Sequence, residues 1–387
     1  MSSQLPIYVN KDAAQAHTHS RESDFDSTKT KNRVKQFHKS LPNYTPSALI
    51  RLPDLAKELG VSEVLVKYEG DRLGLPSFKI LGASWGCYRS VVAYYGLEPT
   101  VSLEELSTRV RSEEKRLTLV AATDGNHGRA VAFMARLLGA QAKIFVPDFV
   151  NEMQCGRIAN EGADVVVIHG DYDQAVQTAW HEALVTKEKI MVQDNAFEGY
   201  EEVPKWIVEG YSTLLSEMEE QLSQLDLSAT LVVTPVGVGS LAHAVVRYSK
   251  SSSSSGPLFS IATVESDSAP CLYTSLRAGK LVSISTSTTI MDGLNCGTVS
   301  SIAWPELRDL VDVSVTVSSY ECHRAVQDLA SCTYPVNAGP CGAAPLAAMR
   351  RFTADGGGDL FHKDSVVVLL CTEGKREYQI PHDTTRD

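Results

Sequence analysis

No stretch of the chain is long and apolar enough to cross a bilayer as a helix, and none gathers lysine and arginine into a basic patch. The first absence speaks against a membrane-spanning protein, the second against nucleic acid or an anionic membrane as the main partner. The eight cysteines form no C-x-x-C pair and the ten histidines no ligand spacing such as H-E-x-x-H. Neither a zinc knuckle, a thioredoxin-type site nor a catalytic metal is therefore indicated. Residues 1–17 lack the basic start and apolar stretch of a secretory leader, so a cytoplasmic setting with reduced thiols is expected. No internal repeat is found.

What is there is ordinary in bulk. A chain of 387 residues, 43% apolar and 21% charged, suffices for two compact domains, and its net charge of −11 leaves a small metabolite as the expected partner. The first forty or so residues are polar with little period, and are expected to form an arm rather than a core element. Beyond them, residues 64–69, 117–123, 142–147, 163–169, 231–235, 259–265 and 365–371 read as buried strands. Helical patterns such as 129–138 and 174–187 lie between them, the alternation of parallel sheets with helices on both faces. Residues 97–115 and the serine run 251–255 read as surface insertions, the latter a flexible loop.

Three segments carry the chemistry. Lys79, in SFKILGA, sits in an apolar setting just before a helical pattern. It is either an ordinary lysine whose stem snorkels along apolar surface or a nucleophilic amine that forms a Schiff base with an aldehyde. Residues 122–128 read ATDGNHG after a strand. There Asp124 or Asn126 caps a helix, or the asparagine faces a ligand. Residues 235–240 read PVGVGS, and Gly237, Gly239 and Ala242 with Glu265 also satisfy a dinucleotide fingerprint. The same glycines suit a phosphate cradle for another cofactor or a tight turn, because small residues let backbone N–H groups approach an anion at a helix N-terminus.

In this order and at these separations the three segments resemble the fold type II (tryptophan synthase β-like) pyridoxal phosphate enzymes, and TDGNHG resembles the diaminopropionate ammonia-lyases among them. Residues 44–55 (YTPSALIRLPDL), 67–83 (KYEGDRLGLPSFKILGA), 193–200 (QDNAFEGY), 289–297 (TIMDGLNCG) and 370–374 (LCTEG) are similar too. The resemblance implies a two-domain α/β fold, with residues 86–194 a small inserted domain, residues 1–85 and 195–387 the large one, and pyridoxal 5'-phosphate in the cleft between them.

The same resemblance implies Lys79 as the Schiff-base lysine, Asn126 at the ring oxygen, and Gly237, Val238, Gly239 and Ser240 around the phosphate. Cys371 or Thr372 would meet the ring nitrogen, although Cys371 also reads as a small buried hydrophobe. Asp124 would take the α-proton on the face opposite Lys79, and Asp194 would recognise a substrate amino group or be a charged strand-end residue. Cys271 and Cys296 match cysteine positions of that family and are either two reduced buried thiols or a pair that oxidises.

The implied activity is α,β-elimination of 2,3-diaminopropionate, D or L, to pyruvate and ammonia by a homodimer. A serine or threonine dehydratase or a β-replacing enzyme on the same cofactor is the nearest alternative. An NAD-dependent oxidoreductase and a regulator without turnover are more distant. The chain departs from the family pattern at Asn195 and Phe197, and at Ser240 and Leu241.

Overall fold

The computed structural model describes residues 7–13, 28–123, 125–148, 150–251, 259–354 and 360–383. The strands among them are β1 (Ile7–Val9), β2 (Ala48–Arg51), β3 (Glu63–Tyr68), β4 (Thr118–Ala122), β5 (Gln141–Pro147) and β6 (Asp164–Ile168). They continue with β7 (Lys189–Met191), β8 (Leu231–Pro235), β9 (Ser260–Ser266), β10 (Val313–Val317) and β11 (Val366–Cys371). All seven runs expected as strands are present. The short strands β1, β2 and β7, and β10 with the sequence VSVTV, were not anticipated.

The chain forms two compact units, one from the described residues of 1–32, 45–78 and 212–387, the other from 33–44 and 79–211. The first is built on a seven-stranded sheet in the order β1-β10-β9-β8-β11-β3-β2. Its inner strands run parallel, and only β1 and β2, at the edges, are antiparallel to their neighbours. β8, β10 and β11 are buried along their whole length, as strands covered on both faces are, and in β11 the unbroken apolar run VVVLLC matches that burial. Small residues of the helix Pro340–Ala354, among them Ala343, Ala344, Ala347 and Ala348, join the same core as Val367 and Leu369. The approach is close, because a Cβ on Gly342 would lie 2.7 Å from Cys371 Sγ.

The second unit has a four-stranded parallel sheet in the order β6-β5-β4-β7. β6 is an edge strand with Val167 exposed, so the expectation that it is buried is corrected. The helix Lys79–Tyr94 is buried almost throughout. Gly82 and Gly86 let it lie against Ile207, since a Cβ on either would come within 2.8 Å of that side chain, and Gly82 also faces the Tyr211 ring. This helix lies whole within the second unit, and Gly86, where the inserted domain was expected to begin, falls in its middle.

Two polar segments hold more structure than composition suggests. Within the expected arm, the helix Thr28–Ser40 buries Val34, Phe37 and His38. The Phe37 ring lies 4.6 Å from Tyr88 and 5.3 Å from Trp85, centroid to centroid. His38 Nε2 donates to Leu81 O at 3.0 Å. Burying one phenylalanine contributes about 2–3 kcal/mol, enough to dock a helix that is otherwise polar. Residues 97–115 likewise contain the helix Leu103–Ser112, opened by a Ser102–Glu105 capping box and anchored by buried Leu106 and Val110. Of the serine run, residues 252–255 lie outside the described residues.

Candidate active site

In parallel sheets, loops that leave the carboxyl ends of adjacent strands gather along one edge, where ligands are bound. In the first unit, β3, β11 and β8 are parallel neighbours. Their carboxyl ends lead into residues 69–78, residues 372–374 and the PVGVGS turn. In the second unit, β4 and β7 are parallel neighbours, so the ATDGNHG turn and the segment 192–195 leave the same edge. The loop that leads into Lys79, the ATDGNHG and PVGVGS turns, and the segments 192–195 and 372–374 therefore all leave strand carboxyl ends.

Lys79 is the first residue of its helix, and its Nζ donates to Asp194 Oδ2 at 2.7 Å. The lysine side chain keeps 18% of its surface exposed and the aspartate 1%. The expected apolar surroundings thus include a buried carboxylate. Burial pushes the Asp194 carboxyl upward, but the Lys79 charge and hydrogen bond outweigh it and hold the group down at about 2. Its other oxygen, Oδ1, is buried and meets no protein donor.

The segment that carries Asp194 is fixed from several sides. Gln193 Oε1 accepts from Ala122 N at 3.0 Å, and its Nε2 donates to Tyr172 Oη at 2.7 Å. Gln193 N donates to the Tyr200 hydroxyl, which donates to Met191 O. Phe197 stacks on Tyr200 and meets Trp180 edge-on. His127, 2% exposed, bonds Val192 O through Nε2 at 2.8 Å. Burial lowers its pKa against the pull of Asp194, which keeps the ring neutral.

At the ATDGNHG turn the helix Asn126–Leu138 begins at Asn126 with Gly125 as its N-cap, and the turn is closed by Gly125 N donating to Thr123 Oγ1 at 2.9 Å. Capping by the Asn126 side chain is therefore corrected, since that residue already belongs to the helix. Asp124 lies outside the described residues.

The PVGVGS turn leads into the helix Ser240–Ser251. Gly239 has φ +88°, and a Cβ on Gly237 would lie 2.7 Å from Gly293 O and 3.2 Å from Cys296 Sγ. Cys271 Sγ donates to Gly237 O at 3.5 Å, so both cysteines border this turn, and neither is in a disulfide. Glu265, the acidic element of the dinucleotide fingerprint, is buried. Its carboxylate accepts from Leu272 N and Tyr273 N at 2.7 Å each. Burial pushes this carboxyl up to about 8 against those two bonds. A carboxyl consumed at a helix start cannot hold a ribose, which removes the main support for the NAD reading.

Sequence reasoning missed a charged cluster beneath the loop that runs into Lys79. Arg72 donates to Glu69 and Glu217, Lys67 donates to Glu217 at 3.1 Å, and Ser47 Oγ donates to Glu69 Oε1 at 2.5 Å, all buried. Burial raises the Glu217 carboxyl, but Arg72 and Lys67 together bring it down to about 2. The cluster ties residues 67–72 to Ser47 and to the helix Ser212–Ser223.

Comparison with known proteins accounts for this arrangement. Residues 41–372 match the family described as pyridoxal-phosphate dependent enzyme. The chain is 33% identical over 360 residues to the diaminopropionate ammonia-lyase of Escherichia coli (strain K12), covering 88% of this chain and 87% of that protein. With the diaminopropionate ammonia-lyase of Salmonella typhimurium (strain LT2) it shares 35% over 297 residues, 75% and 72% of the two. The crystal structure of the Escherichia coli diaminopropionate ammonia lyase in complex with D-serine has a TM-score of 0.85 at 30% identity, covering 95% of this chain and 93% of that one. The chain is a pyridoxal-phosphate-dependent enzyme of the diaminopropionate ammonia-lyase family. Threonine deaminase isoform 2 of Solanum lycopersicum, with a TM-score of 0.71 at 21% identity, shares the fold.

The residues present fit the family's cofactor. Gly237 and Gly239 let the turn pack closely on Gly293, Cys296 and Leu307, and it leads into the N-terminus of the helix Ser240–Ser251, where first-turn N–H groups and the helix dipole suit an anion. Thr372 Oγ1 is buried and without a protein partner, as a group reserved for a ring nitrogen would be. Cys371 is otherwise engaged: its Sγ faces Gly342, donates to Glu373 O at 3.5 Å and lies in the sheet core.

Proposed function

We propose that the protein eliminates ammonia across C2 and C3 of 2,3-diaminopropionate. Overall, one diamino acid and one water give pyruvate and two ammonia. The observation that carries the reading is the Lys79 Nζ–Asp194 Oδ2 pair, with the second carboxylate oxygen buried and open. A 2,3-diamino acid brings one ammonium more than serine or threonine, and a buried carboxylate is its natural counter-ion. The relatives at 33% and 35% identity support the same substrate.

Pyridoxal phosphate, when bound, supplies the electron sink that acidifies the α C–H bond. Lys79 would hold it, with Gly237, Val238, Gly239 and Ser240 around the phosphate and Asn126 at the ring oxygen. Thr372, rather than Cys371, would face the ring nitrogen, where a neutral hydroxyl leaves that nitrogen unprotonated and suits elimination.

Lys79, through its amine, would take the α-proton from one face, and Asp124 would take it from the other. Asp194 orients the second amino group. Held there as an ammonium, that nitrogen departs as neutral ammonia instead of an amide anion. Aminoacrylate, once released, hydrolyses to pyruvate and the second ammonia. We read the enzyme as a cytoplasmic homodimer, its eight cysteines, none in a disulfide, being suited to a reducing compartment.

Pyruvate release from D- and L-diaminopropionate beside L-serine, with 2-oxobutyrate release from L-threonine, tests the substrate. Faster turnover of the hydroxy amino acids would sink it. Asp124→Asn should slow one enantiomer far more than the other, and equal slowing would remove its face-specific role.

A further inference from the structure

The helical turn that follows Asp124 brings a second buried acceptor to the neighbourhood of Asp194. His127 Nε2 faces Val192 O, a group that can only accept, so the ring proton resides on Nε2 and Nδ1 carries a lone pair. Nδ1 is buried and has no protein partner, and the same holds for Asp194 Oδ1. The ring is anchored two residues before Asp194, and the charges of both Asp194 and Lys79 act on it. Buried acceptors without donors are costly and are kept where a ligand completes them.

We propose that His127 Nδ1 and Asp194 Oδ1 together receive the second ammonium of a 2,3-diamino acid, making His127 a specificity residue. The inference rests on the substrate reading given above. An ammonium offers three N–H donors and a full charge, whereas the hydroxyl of serine offers one neutral donor. A neutral imidazole accepts from the ammonium without a second negative charge, which would bind the substrate too firmly to release it.

Two substitutions separate this role from simple anchoring of the helix. In His127→Gln the side-chain amide N–H replaces Nε2 and keeps the bond to Val192 O, but the Nδ1 acceptor is gone. In His127→Asn the carbonyl stands near Nδ1, and the bond to Val192 O is lost. The measurement is KM for diaminopropionate and the inhibition constant of L-serine in wild type and both variants, each loaded with pyridoxal phosphate.

His127→Gln should raise KM for diaminopropionate by about tenfold or more, the effect of one lost hydrogen bond to a charged group, with a smaller change for serine. His127→Asn should stay nearer to wild type. The reverse pattern, Gln silent and Asn impaired, or equal changes for both ligands, overturns the proposal while the substrate reading stands. A wild-type enzyme that releases no pyruvate from diaminopropionate overturns both. Should Asn fail to fold, a silent Gln alone is decisive against it.

Discussion

The backbone N–H of Phe78, the residue before Lys79, donates to the carbonyl of Thr372 at 3.2 Å. Glu69 N donates to Cys371 O at 2.8 Å and Gly374 N to Pro76 O at 3.0 Å, so the segment running into the lysine is stitched along the end of β11. The register of β3 against β11, Tyr68 opposite Cys371, sets where that stitching begins. The backbone that leads into Lys79 is thereby fixed by sheet geometry, while the Thr372 hydroxyl is buried without a protein partner.

Thr372→Val tests that assignment. Removing a buried hydroxyl that has no partner should leave the unfolding free energy of the cofactor-free protein unchanged or raise it by about 1 kcal/mol. Affinity for pyridoxal phosphate should fall by about tenfold, equivalent to ~1.4 kcal/mol, with a shift in the absorbance of the bound cofactor. Cys371→Ala should do the opposite, losing stability through a core cavity while binding the cofactor normally. Exchanged phenotypes would return the ring nitrogen to Cys371.

Asp194→Asn keeps the shape of the side chain but removes the charge opposite Lys79. KM for diaminopropionate should rise by about tenfold or more, the usual scale for a buried charge-assisted hydrogen bond, and inhibition by L-serine should change less. Parallel loss of both would mark Asp194 as a partner of Lys79 alone, with no part in reading the substrate.

Gly237→Ala places a methyl 2.7 Å from Gly293 O, so residues 291–296 must yield. The expected cost is about 1–3 kcal/mol of stability. Titration with pyridoxal phosphate and with pyridoxal distinguishes crowding of a phosphate cradle from general damage. Binding of the phosphate ester should weaken, while pyridoxal binds as before. Equal weakening would show that the turn holds no phosphate.

Much of this was legible in the sequence. Unbroken β-branched runs marked the inner strands, and the glycines of PVGVGS and ATDGNHG marked their loops. What escaped had weak local signals. β10 reads VSVTV, an alternation that also suits an exposed strand, and only its neighbours bury it. The helix Leu103–Ser112 did announce itself, through Ser102 and Glu105 at capping-box spacing, but charge masked it. Lys67, Arg72 and Glu217 were invisible because a buried charge is recognised only with its partners, and Glu217 is 145 residues from Arg72. Thr372 and Cys371 could not be separated without knowing which side chain faces Gly342.

Glu265 gives the fold a pH dependence. Its folded carboxyl is raised to about 8 from an ordinary 4.5, so the folded protein keeps a proton that the unfolded chain gives up as pH rises through 4.5. The folded state binds more protons across that window, and stability falls from pH 4.5 to about 8. Urea midpoints between these limits should decline in wild type and flatten in Glu265→Gln. An unchanged slope in the variant would show that the carboxyl is ionised throughout.

Borohydride reduction of the enzyme after loading with pyridoxal phosphate, followed by peptide mass spectrometry, bears most directly on Lys79. A single pyridoxyl adduct on Lys79, absent from Lys79→Ala together with pyruvate release, is the expected result. An adduct on another lysine, or none in a protein that still eliminates ammonia, would contradict the assignment.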